Sequence, residues 1–152
     1  MDEELNVKVK YISDVYEENP LSFTGGHNTS AWIDLRAACD VHLEPGQSTL
    51  VPLGIAMQLP QGYEAIIAPR SSSFKKYGVL QTNSIGVIDG SYCGDGDEWL
   101  WAVYAAKECN IKKGDRVCQF RIQEQMTGDI TFNVVTSLEN PDRGGYGSTG
   151  TV

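Results

Sequence analysis

Apolar residues in this chain fall into short runs, and each run is bounded by turn-forming residues. The runs are "NVKVKYI" (6–12), "AWIDLRAA" (31–38), "STLVPLGIAMQL" (48–59), "YEAIIAP" (63–69), "GVLQTNSIGVI" (78–88), "WLWAVYAA" (99–106), "DRVCQFRI" (115–122) and "TFNVVTSL" (131–138). Pro45-Gly46, Gln61-Gly62 and many single glycines separate them. Short runs at this spacing predict strands. Val117, Phe120 and Ile122 alternate with Arg116, Gln119 and Arg121, although imperfectly, and no long window keeps a helical period. Only "SSSFKKYG" (71–78) predicts a short helix.

A chain that reads as short strands throughout, with no helical layer, has few ways to cover two sheet faces. The expected fold is all-β, a jelly-roll-like barrel or sandwich forming a single domain over residues 1–152. From Glu139 onward "ENPDRGGYGSTGTV" loses the strand pattern, so residues 139–152 are expected to be a mobile C-terminal lid. The aromatic segment after residue 98 places Trp99 and Trp101 in core or inter-subunit packing, with cover for a bound ring as the other possibility.

Charge narrows the partners. The formal net charge of −8 opposes general attraction to nucleic acid or to an anionic membrane, so a polyanionic ligand has to be small and neutralised locally. "MDEELNVKVK" is acidic with no apolar signal region, and no run approaches the ~20 apolar residues of a membrane span, which makes a cytoplasmic chain the expectation. Cys39, Cys93, Cys109 and Cys118 form no C-x-x-C pair and lie far in sequence from His27 and His42. Neither zinc nor disulfides are expected, and most of the four cysteines read as small buried apolar residues.

Four stretches carry candidate chemistry. "APRSSSFKKYGV" puts Arg70, Ser71, Ser72, Ser73, Lys75 and Lys76 after a predicted strand, a set suited to a phosphate chain or simply to a solvated loop. In "NSIGVIDGSYCGD", Asp89 ends an apolar run, where a carboxylate can be fixed against a substrate and accept a proton from water, or can serve only the turn. "KKGDRVCQF" is a Gly-Asp turn entering a strand that carries Gln119. The fourth, "RGGYGSTG" (143–150), is rich in phosphate-binding residue types but lacks the lysine and following helix of a P-loop.

Read in order, "SAWIDLRAA", "PRSSSFKKYG", "GVIDGSYCGD", "GDRVCQF" and "RGGYGSTG" resemble the five motifs of the deoxyuridine triphosphatase (dUTP diphosphatase) family, over residues 30 to 150. The forms "WIDLRAA" and "DRGGYGSTG" are most similar to the branch found in Gram-positive bacteria and their phages. The resemblance implies a homotrimer with three active sites, each assembled from all three chains. It implies magnesium-assisted hydrolysis of dUTP to dUMP and pyrophosphate, which keeps uracil out of DNA and supplies dUMP for thymidylate synthesis.

Residue by residue, the resemblance implies that Asp89 activates the water and that Asp34 holds the metal's water shell. Arg70, Ser71, Ser72 and Gln119 serve the phosphates. The hairpin from Asn83 through Gly86, Val87 and Ile88 receives uracil, and Tyr92 packs under the deoxyribose. Arg143, Tyr146, Gly147, Ser148 and Thr149 belong to the closing tail.

The chain departs from the family pattern at Trp32, usually glycine, at Ser91, usually acidic, and in a shorter fifth motif whose aromatic is Tyr146. Two other readings are a dCTP deaminase-like enzyme and a nucleotide-sensing or protein-binding regulator in which hydrolysis is secondary.

Overall fold

The structure, a computed structural model, describes residues 4–147. In chain order the strands are β1 (Lys8–Tyr11), β2 (Ile33–Arg36), β3 (Val41–Leu43), β4 (Ser48–Pro52), β5 (Ile55–Gln58) and β6 (Tyr63–Pro69). After α1 (Ser73–Tyr77) come β7 (Val79–Gln81), β8 (Gly86–Ile88), β9 (Leu100–Ala105), β10 (Cys109–Ile111) and β11 (Arg116–Glu124). A four-stranded antiparallel sheet runs in the order β2-β11-β6-β8, and a three-stranded one in the order β4-β9-β7. The pairs β1-β5 and β3-β10 complete the body.

Inward residues of both larger sheets join one buried cluster. Leu35, Ala65, Ile67 and Phe120 come from the first, and Val51, Val79, Trp101 and Val103 from the second. Along β9 the alternation is plain, with Trp101, Val103 and Ala105 buried while Leu100 and Tyr104 are exposed. Trp99, just before β9, meets the Phe120 ring edge-on at a centroid distance of 5.2 Å. Trp99 and Trp101 are therefore core residues, and neither is available to cover a ligand. Truncating either to alanine is expected to cost about 3–5 kcal/mol.

The alternation expected over residues 116–122 breaks at a β-bulge. β11 pairs with β2 through Arg116 opposite Arg36 and then Cys118 opposite Leu35, which leaves Val117 as the extra residue. Val117 and Cys118 are both buried, so Arg116 and Gln119 both turn outward.

Several expectations require correction. The run 78–88 is two strands rather than one, because β7 pairs with β9 and β8 pairs with β6, and the turn between them carries the chain from one sheet to the other. The run 48–59 is likewise two strands in different sheets, split at Gly54. Gly54 has φ +74°, and a Cβ there would approach Ser13 Cβ to 2.7 Å, so only glycine permits the break. Strands β3 and β10 were invisible as patterns because each contributes three residues between polar flanks.

"TFNVVTSL" makes no strand. Phe132, Val134 and Leu138 are 85%, 99% and 79% exposed, since no strand among the described residues lies beside the segment to pair with it. The strandless segment thus begins after Glu124 rather than at Glu139. Of the cysteines, Cys109 and Cys118 are buried, whereas Cys39 and Cys93 are exposed, and all four are free thiols. No helix among the described residues is long and apolar enough to cross a membrane.

Candidate active site

Asp34 occupies the outward side of β2, between the inward Ile33 and Leu35. It stands directly opposite Gln119 of β11, which in turn stands opposite Ala68 of β6. Arg70, immediately after β6, places Nε 3.1 Å from Asp34 Oδ1, and Arg116 NH1 lies 3.4 Å from Oδ2. The Arg70 loop is held from beneath. Buried Ser73 accepts a hydrogen bond from the Arg70 backbone N–H at 2.9 Å and donates to the Val117 carbonyl at 2.7 Å. The Gln119 side-chain amide donates to the Pro69 carbonyl at 3.0 Å.

The result is a polar platform built by two neighbouring strands and one loop. It presents guanidinium and amide N–H groups, and Ser71 and Ser72 follow on the same loop, Ser71 exposed and Ser72 without a side-chain cap bond to α1. Such a donor set is suited to phosphate oxygens.

A second group of residues forms at β8. Gly86 is buried against β6, and a Cβ there would meet Ile67 Cβ at 3.2 Å and lie 3.5 Å from the Asn83 side-chain amide nitrogen. β8 pairs only with β6 and ends the sheet, so one edge of its backbone carries no strand among the described residues. Asp89 follows it, exposed, with Oδ1 accepting from the Ser91 N–H at 2.9 Å and from the Ser91 hydroxyl at 2.5 Å. These two donors hold the Asp89 pKa below the ordinary aspartate value, so the carboxylate is ionised at neutral pH.

Val87, Ile88, Asp89, Ser91, Tyr92 and Leu100 line a cleft of about 300 Å³. The Tyr92 hydroxyl donates to the Glu98 carbonyl at 2.6 Å, which fixes the ring as a wall of that cleft. Partial burial, and then the nearby Asp97 and Glu98 charges, raise its pKa. The Glu98 carboxylate accepts from the Gly54 N–H at 2.9 Å, and Asp97 accepts from the Gly94 N–H at 2.8 Å, so the turn after Asp89 is anchored to the body.

These two groups do not meet within one chain. Asp34 lies on β2 and Asp89 just beyond β8, the two edges of the four-stranded sheet. Asp34 is level with Ala68 on β6, whereas Ile88 is level with Ala65. Three strand spacings of ~4.8 Å and about four residues of ~3.3 Å along the strand separate Asp34 from Asp89 by roughly 20 Å. Arg143, Tyr146 and Gly147 are exposed on the strandless segment, and Ser148 and Thr149 lie outside the described residues.

Sequence reasoning missed two structural supports. Gln81 donates through Nε2 to the Ile67 carbonyl at 3.0 Å and the Ser84 carbonyl at 3.2 Å, and accepts from Trp101 Nε1 at 2.7 Å. It clamps the turn that carries Asn83, yet nothing in the sequence separates it from other glutamines. Arg116 was visible within "GDRVCQF", but its pairing with Asp34 depends on the bulge.

Known proteins were compared with this chain. The dUTPase family model matches residues 21–151. A prophage-derived deoxyuridine 5'-triphosphate nucleotidohydrolase of Bacillus subtilis is 50% identical over 147 residues, covering 97% of this chain and 99% of that protein. The crystal structure of a Streptococcus mutans dUTPase superposes with a TM-score of 0.68 at 26% identity, covering 80% of this chain and 98% of that one. A dUTPase from phage phi11 of S. aureus, described as coordinating a structural Mg(II) ion, shares the fold with a TM-score of 0.68 at 19% identity, covering 89% of this chain and 99% of that one. The order of the motifs, the jelly-roll-like sheets and these matches agree: the chain belongs to the dUTPase family.

Proposed function

We propose that this protein is a dUTP diphosphatase, hydrolysing dUTP to dUMP and pyrophosphate, with Asp89 as the group that activates water. The observation that carries the reading is the β8 turn. An ionised carboxylate, a fixed tyrosine ring and an open strand edge line one cleft in a chain of this family. Uracil offers an N–H between two carbonyl oxygens, which free backbone groups of β8 and the Asn83 amide complement. The tight Gly86 turn refuses the extra methyl of thymine, and the Tyr92 ring against C2′ refuses a ribose hydroxyl.

In the reaction, Asp89 orients a water in line with the α-phosphorus and takes its proton. The new bond forms from water oxygen to phosphorus while the bond to the bridging oxygen breaks, and pyrophosphate leaves. Arg70, Ser71, Ser72 and Gln119 hold the phosphate oxygens during this displacement.

The residues present fit magnesium held through water. Both Asp34 oxygens face guanidinium groups, yet each keeps a lone pair for a metal-bound water. Asp34 would thus anchor the ion's hydration shell, and magnesium would neutralise charge on the departing phosphates.

A homotrimer with composite sites accounts for two features. The roughly 20 Å between Asp34 and Asp89 is too long for one site within one chain. The outer face of β4-β9-β7 exposes Leu50, Leu80, Leu100 and Tyr104, an apolar face suited to burial against other copies. In this arrangement the segment from Gln125 onward reaches a neighbour, and Arg143 and Tyr146, with Ser148 and Thr149, close over its bound nucleotide before release. The negative charge and the absence of a membrane-crossing helix among the described residues support a cytoplasmic enzyme.

Pyrophosphate release measured in parallel on dUTP, dTTP, dCTP and UTP tests the proposal, and dUTP alone is expected to turn over efficiently. Ammonia release from dCTP would replace it with the deaminase reading.

A further inference from the structure

Resting on the reading of Asp89 above, we infer that Ser91 is a positioning residue for this reaction, holding one oxygen of the Asp89 carboxylate so that the other is presented to the attacking water. Both donors of Ser91, backbone N–H and hydroxyl, converge on Oδ1. Oδ2 has no hydrogen-bond partner among the described residues. An exposed aspartate otherwise samples several side-chain rotamers, and each loses alignment with the phosphorus.

The surroundings leave this role to Ser91. The rest of the cleft wall is Val87, Ile88 and Leu100, which are apolar, and Tyr92, whose hydroxyl is turned away to the Glu98 carbonyl. The acidic groups further along the turn are engaged elsewhere. Asp95 lies 3.7 Å from Lys10, Asp97 caps the Gly94 N–H and Glu98 caps the Gly54 N–H. No cation of the described chain forms an ion pair with Asp89.

The usual acidic residue of the family at this position would place a second negative charge beside Asp89 and raise its pKa. Serine does the opposite, because it donates. Ser91 therefore sets both the aim and the ionisation of the water-activating group.

The test uses the full chain with Ser91→Ala, Ser91→Thr and Ser91→Asp, and with Asp89→Asn in parallel. Pyrophosphate release from dUTP is followed as a function of pH, and the melting temperature of each variant is recorded. Ser91 is exposed in a turn, so all of them are expected to fold.

Ser91→Ala is expected to lower kcat about tenfold with KM nearly unchanged, and to move the acid limb of the profile to higher pH. Ser91→Thr keeps the hydroxyl and restores both. Ser91→Asp moves the acid limb further up than alanine does. Parent-like kcat and an unmoved limb in Ser91→Ala would overturn the inference. So would a lower kcat with an unmoved limb and no rescue by threonine, which marks a structural role. Turnover by Asp89→Asn would remove the reading of Asp89 itself, whereas an inactive Asp89→Asn beside an unaffected Ser91→Ala sinks only the role of Ser91.

Discussion

Asp34 and Asp89 stand on the two opposite edges of one four-stranded sheet, out of reach of each other. Each has its own supporting residues, Arg70 and Arg116 for the first and Ser91 for the second. Within a single chain the two groups of residues stay apart.

Mixing two inactive variants checks how the parts combine. Asp89→Asn and a truncation after Asn140 are unfolded together in equal amounts and refolded into random trimers. If one subunit supplies Asp89 and another the tail, about one quarter of sites hold both intact parts, and activity returns to roughly that fraction. Verified mixed trimers that stay inactive would place both parts on the same chain.

Asp89→Asn alone is expected to abolish turnover while dUTP binding stays within about tenfold, because the amide keeps the shape and loses the base. Single-turnover kinetics beside equilibrium binding separate the two effects. A loss of binding larger than the loss of turnover would make Asp89 a ligand-holding group instead.

Tyr92→Ala is expected to retain the fold and lose discrimination between dUTP and UTP. The ratio of kcat/KM for the two nucleotides is the measurement. An unchanged ratio would assign reading of the sugar to another part of the cleft.

Gln81→Leu tests the clamp. The substitution leaves buried Trp101 Nε1 without its acceptor, a loss of about 1–3 kcal/mol in unfolding free energy, and frees the Ser84 and Ile67 carbonyls. KM for dUTP is expected to rise more than kcat falls, since the turn bearing Asn83 loses its tether. Denaturant unfolding together with steady-state kinetics provides both readouts, and an unshifted denaturation midpoint would show that Trp101 finds another acceptor.

Much of the strand content was legible because inward and outward residues alternate with a period of two, as in β9, and because glycines mark the breaks. The short helix was legible from its serine-rich start and Gly78, whose φ of +67° ends it. What escaped was long-range pairing. Whether β7 and β8 pair with each other or with β9 and β6 depends on partners distant in sequence, and a run such as 78–88 carries no record of the choice. "TFNVVTSL" has the composition of a strand but finds no partner strand among the described residues, so composition alone misjudged it. Around the candidate site, motif order in the sequence singled out Asp34, Asp89, Tyr92 and Gln119 as candidates, whereas the contacts of Gln81 and Ser91 depend on how distant segments fold together.

The bulge in β11 works as a phase shifter. In a regular strand, residues three apart point to opposite faces, so Arg116 and Gln119 could not serve the same side. One supernumerary residue, Val117, resets the parity between them and lets a guanidinium and an amide flank Asp34 together. The reset is discrete. With Val117 kept but the bulge straightened, ordinary parity would either expel Phe120 toward water or draw Arg116 into the apolar interior. The break in alternation between residues 116 and 122 is therefore itself information, marking where the strand gives up regular pairing to bring Arg116 and Gln119 to one face.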